Sequence, residues 1–261
     1  MNCKNCQNEL TPESDYCNIC GGKVIRNRLT LKNLFEHVSE TFFNYDNKLL
    51  RTFIDLLKKP DEVINSYVKG VRKRYVNPLS FFGVSLTLSG LSLFIIQKFY
   101  LQYLDVSKFF NSEIYQNEVS QQMVQNSYDG AFEYGSLVFS FMIPFLAVIS
   151  IIVFYNKHYN FTEHIIIYLY SMSELTIVSI IIGHLVLLTI PEQYLAFSLI
   201  SYLVLIIYHA YVLKRVFQLT ALQLLLKILF FFAIGLVIFI LFTVLVAIYM
   251  IATGSINPKT N

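Results

Sequence analysis

The stretch Leu222–Ile251, LQLLLKILFFFAIGLVIFILFTVLVAIYMI, carries a single charge, Lys227. It is longer than the roughly 18 apolar residues at which a segment reads as a membrane-crossing helix. It can be a long tilted helix, with Lys227 reaching back to the near interface. Working back toward the amino terminus, four more apolar runs meet the same test: about Gln193–Leu213, His164–Thr189, Tyr134–Tyr155 and Leu79–Phe99. The expected fold is an all-α polytopic membrane protein with five spans over residues 78–261. Span three is the least uniform because it holds several polar residues, which leaves a break or re-entrant stretch open.

Lys and Arg gather on the cytoplasmic side of short loops, and their distribution orients the spans. The segment before residue 78 is strongly basic, with a dozen Lys and Arg from Lys23 to Arg74. The loop Tyr100–Glu133 has Lys108 against Asp105, Glu113, Glu118, Asp129 and Glu133, and reads as outside. Lys157 and His158 return inside, the Pro191 turn has no cation, and Lys214 and Arg215 are inside again. The expected topology is amino terminus cytoplasmic and carboxyl terminus external, in a bacterial inner membrane. No cleavable signal is expected ahead of the first span, which itself directs insertion. Tryptophan is absent, and tyrosines such as Tyr75, Tyr100, Tyr134, Tyr155, Tyr194 and Tyr211 take the interfacial positions. Pro144, inside span two, is a candidate kink.

The amino terminus is of another kind. Cys3/Cys6 and Cys17/Cys20 form two CxxC pairs, the spacing of a four-cysteine zinc ribbon over residues 1–23, in which each pair chelates from one tight turn. Structural Zn2+ is the favoured ligand, with iron or thiol redox chemistry as alternatives. Four thiolates close the coordination shell, which argues against catalytic zinc. Gly21 and Gly22 suit the left-handed turn under the second knuckle; the first has Gln7 and Asn8 there, and Asn8 is the residue expected to take that geometry. Lys4 is outweighed by Glu9, Glu13 and Asp15, so no nucleic acid is expected as a partner. Reduced thiolates also agree with a cytoplasmic amino terminus.

Residues 24–77 read as a cytoplasmic amphipathic helical region. Thr30 can cap a helix with a stripe of Leu31, Leu34, Phe35, Val38 and Phe42; Asp46 can cap a second with Leu49, Leu50, Phe53, Ile54 and Leu57. A third opens at Pro60, with Asp61 and Glu62 in its first turn. Arg72, Lys73 and Arg74 stand directly before span one, as a positive-inside signal or as a contact for anionic lipid or an acidic partner.

Inside the spans, Glu174 lies roughly 15 Å from the cytoplasmic end of span three at the rise of an α-helix, near the midplane, where it must be neutral or paired. His164 and His209 fall on the cytoplasmic side and His184 toward the outer face; each can bond a neighbouring carbonyl, or they can share a proton or metal site. The sequence holds no HExxH, GxSxG or P-loop and no paired carboxylates in one span, so no catalytic residue is assigned and no enzyme is expected.

The stretch Phe43–Phe53, followed by Lys59–Val63 and Tyr67–Pro78, resembles a bacterial domain-of-unknown-function family that joins a zinc ribbon to a multi-span membrane region. The likeness covers residues 1 to about 98, and its implication is architectural, with no activity attached. The five-span arrangement is loosely similar to Yip-type trafficking proteins. The expected function is a non-enzymatic membrane scaffold or adaptor, whose ribbon and basic helices contact a cytoplasmic protein or anionic lipid. The alternative is a small proton- or ion-coupled transporter using Glu174 and the histidines, which would have to self-associate because five helices leave little room for a polar path.

Overall fold

The computed structural model describes residues 2–22, 24, 48–103 and 118–252; the expected helix of Thr30–Phe42 and the Asp46 cap lie outside them. The chain divides into two compact units, Met1–Asn47 and Lys48–Asn261.

The first unit, as described, is two knuckles joined by a short turn. An isolated antiparallel bridge pairs Asn2 with Glu9. The amide of Cys3 donates to Asn8 O and that of Cys17 to Gly22 O, both at 2.8 Å; Gln7 N donates to Cys3 O and Gly21 N to Cys17 O. The two knuckles are therefore built alike. Their left-handed positions are Gly21 (φ 68°) and Gln7 (φ 61°). Asn8, expected to take that role, instead supplies the carbonyl that closes the turn, so the register of the turn decides the position and Gln7 bears the strain. The apolar core is small: Leu10, Cys3 and Cys17 are buried, with Val24 packed on them.

The second unit contains seven α-helices among the described residues. Helices α1 (Lys48–Lys58) and α2 (Pro60–Val68) form a hairpin. Pro60 opens α2 with Asp61 and Glu62 in its first turn, the N-terminal chemistry expected from sequence. Helix α3 (Pro78–Ile95) is capped by the Asn77 side chain, which accepts from Leu79 N. It runs on through a π turn, Ile96–Tyr100, and a 3-10 turn, Leu101–Tyr103.

Helix α4 spans Glu118–Val153 without interruption, Pro144 included. Residues 118–133, expected as part of the outer loop, thus belong to this helix. Hydropathy detects only the apolar portion of a helix, and the polar turns before Tyr134 continue it beyond that window. Helix α5 (Phe161–Thr189) is continuous through its polar residues, so span three has no break. It starts with a reciprocal cap: Asn160 Oδ1 accepts from Glu163 N at 2.9 Å, and Glu163 Oε2 accepts from Asn160 N at 2.8 Å. Helix α6 (Tyr194–Phe217) ends at Gln218 in left-handed geometry with Lys214 and Arg215 in its last turn. Helix α7 (Ala221–Ala252) follows a Thr220/Gln223 reciprocal cap.

Five of these segments are long and apolar enough to cross a membrane: Pro78–Tyr103, Glu133–Val153, Phe161–Thr189, Pro191–Phe217 and Ala221–Tyr249. Helix α5 is the centre of the bundle, buried along much of its length, and packs on α3, α4 and α6. Helix α7 packs on α4 and α6 with most of its surface outward. Lys227 at its start donates to Val153 O and to Asn156 Oδ1 at 3.4 Å. A cation there satisfies the last carbonyls of α4 and holds the near ends of the two helices together.

The α1–α2 hairpin is packed into this bundle. Leu56, Val63 and Ile64 are fully buried in one cluster with Ile167, Tyr170, Leu175, Tyr208 and Val212. Tyrosine hydroxyls tie it down: Tyr208 donates to Leu56 O (3.1 Å), Tyr211 to Lys58 O (2.8 Å), Tyr159 to Asn65 Oδ1 (2.9 Å) and Tyr170 to Val76 O (2.6 Å). Arg215 pairs with Asp61 at 2.9 Å.

Candidate metal centre and the buried carboxylate

The sulfurs of Cys3, Cys6, Cys17 and Cys20 lie within 4.8 Å of one another. Cys3–Cys20 and Cys6–Cys17 approach to 3.6 Å, and all four are free thiols. Metal–sulfur bonds of about 2.3 Å imply tetrahedron edges of about 3.8 Å, so the donor set has the size of a four-thiolate metal site. Cys3 and Cys17 are buried and Cys6 and Cys20 exposed. Within this set the Asn5 side chain and the Gly22 amide, both hydrogen-bonded to Cys20, lower its thiol to about 6, whereas at Cys6 the lowering by the Asn8 amide is outweighed by desolvation and the three other sulfurs, which push the thiol up to about 12. Among the described residues, this is the only group of three or more His, Cys, Asp or Glu side chains close enough to share an ion.

The intramembrane histidines do not gather. His164 Nδ1 lies 2.9 Å from Ser150 Oγ, joining α5 to α4. His209 Nε2 lies 3.2 Å from Ser171 Oγ, and its Nδ1 is 3.0 Å from Leu205 O. His184 Nδ1 is 3.0 Å from Ile180 O on its own helix. Each thus has a separate local partner.

Glu174 is fully buried on α5, and neither carboxylate oxygen has a hydrogen-bond partner among the described residues. In a low-dielectric interior a carboxyl group without a partner is costly to bury. On the same helix, Thr176, Ser179, Gly183 and His184 line a cleft of about 240 Å³ shared with α6 and with Ser92 of α3. A Cβ at Gly183 would come within 3.2 Å of the Phe197 ring, so glycine permits the close approach of α5 and α6 there. Glu174 itself does not line the cleft.

The basic run before span one is partly engaged within the unit. The Arg72 guanidinium sits 3.9 Å over the Tyr67 ring and donates to Tyr67 O at 2.8 Å. Arg74 pairs with Glu62 at 2.6 Å. Beside them Tyr75 donates to Asp55 at 3.0 Å, and burial together with that carboxylate pushes its phenol up to about 12. Sequence reasoning placed Tyr75 and Tyr211 at the interface and passed over Tyr208 and Tyr170. The signal was present: Tyr208, Tyr211 and Arg215 recur at i, i+3 and i+7, one face of a helix, and that face meets the hairpin.

A family model described as "Protein of unknown function (DUF3667)" matches residues 46–90, which covers the hairpin and the start of α3. No curated protein and no solved structure matches the chain. The chain is thus similar, over its hairpin and the first part of its first span, to an uncharacterised domain, and beyond that match it has four more helices long and apolar enough to cross a membrane.

Proposed function

We propose that this chain is a non-enzymatic, multi-pass inner-membrane scaffold or adaptor, with a zinc-filled four-cysteine ribbon on the cytoplasmic side that contacts a protein partner. The observation that carries the reading is a metal-sized four-thiolate cluster in a unit separate from the apolar helices. Cys3, Cys6, Cys17 and Cys20 would hold the ion, which supplies structural cross-linking only. The cationic hairpin and the charge of the loops support an amino terminus in the cytoplasm and a carboxyl terminus outside. The test is cross-linking in intact cells followed by recovery of the full chain. A partner recovered with the native ribbon and lost in Cys17→Ser, with the protein still membrane-inserted, supports the reading; identical recovery from both proteins contradicts it.

Glu174 favours a second reading, proton- or ion-coupled transport through a self-associated bundle. A buried, unpartnered carboxyl on the helix that also lines a hydroxyl-rich cleft is the usual chemistry of an intramembrane relay. Proton flux in reconstituted vesicles that is abolished by Glu174→Gln supports it; no flux from the native protein, or flux unchanged in the variant, removes it.

A further inference from the structure

Helix α1 has an apolar arc wider than the described residues cover. At about 100° per residue, Leu56, Leu49, Phe53, Leu57, Leu50 and Ile54 span an arc of about 160°, with Lys48, Arg51, Asp55 and Lys58 opposite. Half of that arc meets the bundle: Leu56 is buried and Leu49 and Phe53 pack against the same cluster, while Leu57, Leu50 and Ile54, on the other half, are 40%, 52% and 37% exposed.

The height of this helix can be read from α6. Its span, Pro191–Phe217, has 27 residues, about 40 Å of helix against a hydrocarbon core of about 30 Å. Centred, it leaves about 5 Å beyond each boundary. Tyr208, nine residues before Phe217, then lies about 8 Å inside the hydrocarbon, and its hydroxyl holds Leu56 O of α1. Ile207, beside Tyr208 on α6, is also an exposed apolar group.

We infer that α1 is embedded in the cytoplasmic leaflet, with Ile54 and Leu57 against acyl chains and Lys48 and Lys58 reaching anionic headgroups. An amphipathic helix settles about 5–10 Å into that boundary, the depth that the Tyr208 tether imposes. Lysines at its two ends can extend their stems outward to the phosphates. The occupant is the bilayer that the spans already occupy, because Tyr208 of α6 holds Leu56 O at a depth where Ile207 beside it is an exposed apolar group as well. The inference rests on the five helices crossing a bilayer, takes the name of the leaflet from the proposed orientation, and does not depend on either the partner contact or the transport reading.

The chain has no tryptophan, so Ile54→Trp and Leu57→Trp each place one indole reporter on this face of the full-length protein. The probe is vesicles of neutral and anionic phospholipid carrying bromine at a shallow or a deep acyl position, with iodide as the aqueous quencher. Phe239→Trp on α7 and Tyr16→Trp in the knuckle unit are the lipid and water references. Embedding predicts blue-shifted emission, quenching stronger by shallow than by deep bromine, and protection from iodide. Red-shifted emission quenched by iodide overturns it in favour of water. Blue-shifted emission untouched by either quencher overturns it in favour of a protein cover, a second copy or another segment of this chain. If one substitution prevents insertion, the other reports on the same face.

Discussion

The knuckle unit and the helical unit are stabilised in opposite ways. Residues 2–22 and Val24 bury little beyond Leu10, Cys3 and Cys17, and four thiols converge where a hydrophobic core would otherwise stand. The helical unit buries whole side chains of α1, α2, α5 and α6 in one cluster and adds tyrosine hydroxyls that satisfy the loose carbonyls of the hairpin. A segment of some twenty residues cannot bury enough surface to fold alone, so on the proposed reading its stability is that of the metal bonds its thiols would make. A bundle of long apolar helices needs no ion. The lesson of the contrast is that the two units should fail separately.

The largest effect expected is on the small unit. Chelation, or Cys17→Ser, removes metal-binding energy on the order of 10 kcal/mol and unfolds residues 2–24. Amide exchange there rises to the unprotected rate, while exchange in α5 and the helical circular dichroism of the bundle stay unchanged. Loss of helicity on chelation would break the separation.

Leu56→Ala sharpens it from the other side. This side chain is fully buried between hairpin and bundle, and truncating it costs about 2–5 kcal/mol. Denaturation in detergent should shift accordingly, and the metal content should not move.

Tyr75 gives the smallest effect, and it has a sign. Its folded phenol titrates at about 12 against an ordinary value of 10, so the fold favours the neutral form. That contribution is fully present below pH 10 and is lost as pH rises toward 12, because the released phenol ionises first. Amide exchange in α1 should therefore loosen between those values in the native protein. Tyr75→Phe should show a smaller dependence over the same window; an identical dependence would mean that other groups cause it.

How much of this was legible before the structure differs by region for physical reasons. The five spans could be read because a lipid-crossing helix must be apolar over its whole crossing, as Leu222–Ile251 is. The thiol cluster could be read because chelation from one turn demands the CxxC spacing. The docking of α1 could not: the periodicity of Leu49, Phe53 and Leu56 marks a buried face without naming what buries it, and a hairpin lying on a membrane and one packed into a bundle have the same pattern. Likewise the polar turns before Tyr134 carry no hydropathy signal although they are helical, and the choice of Gln7 over Asn8 as the left-handed residue depends on which carbonyl closes the turn.

The central claim is that a four-cysteine metal site holds a unit distinct from the helices, and metal content tests it most directly. Elemental analysis of the purified full chain should find a single zinc ion per protein, lost in Cys17→Ser while the helical circular dichroism is retained. Native protein that carries no metal, with four thiols reacting freely under non-denaturing conditions and residues 2–24 still protected from exchange, would contradict it.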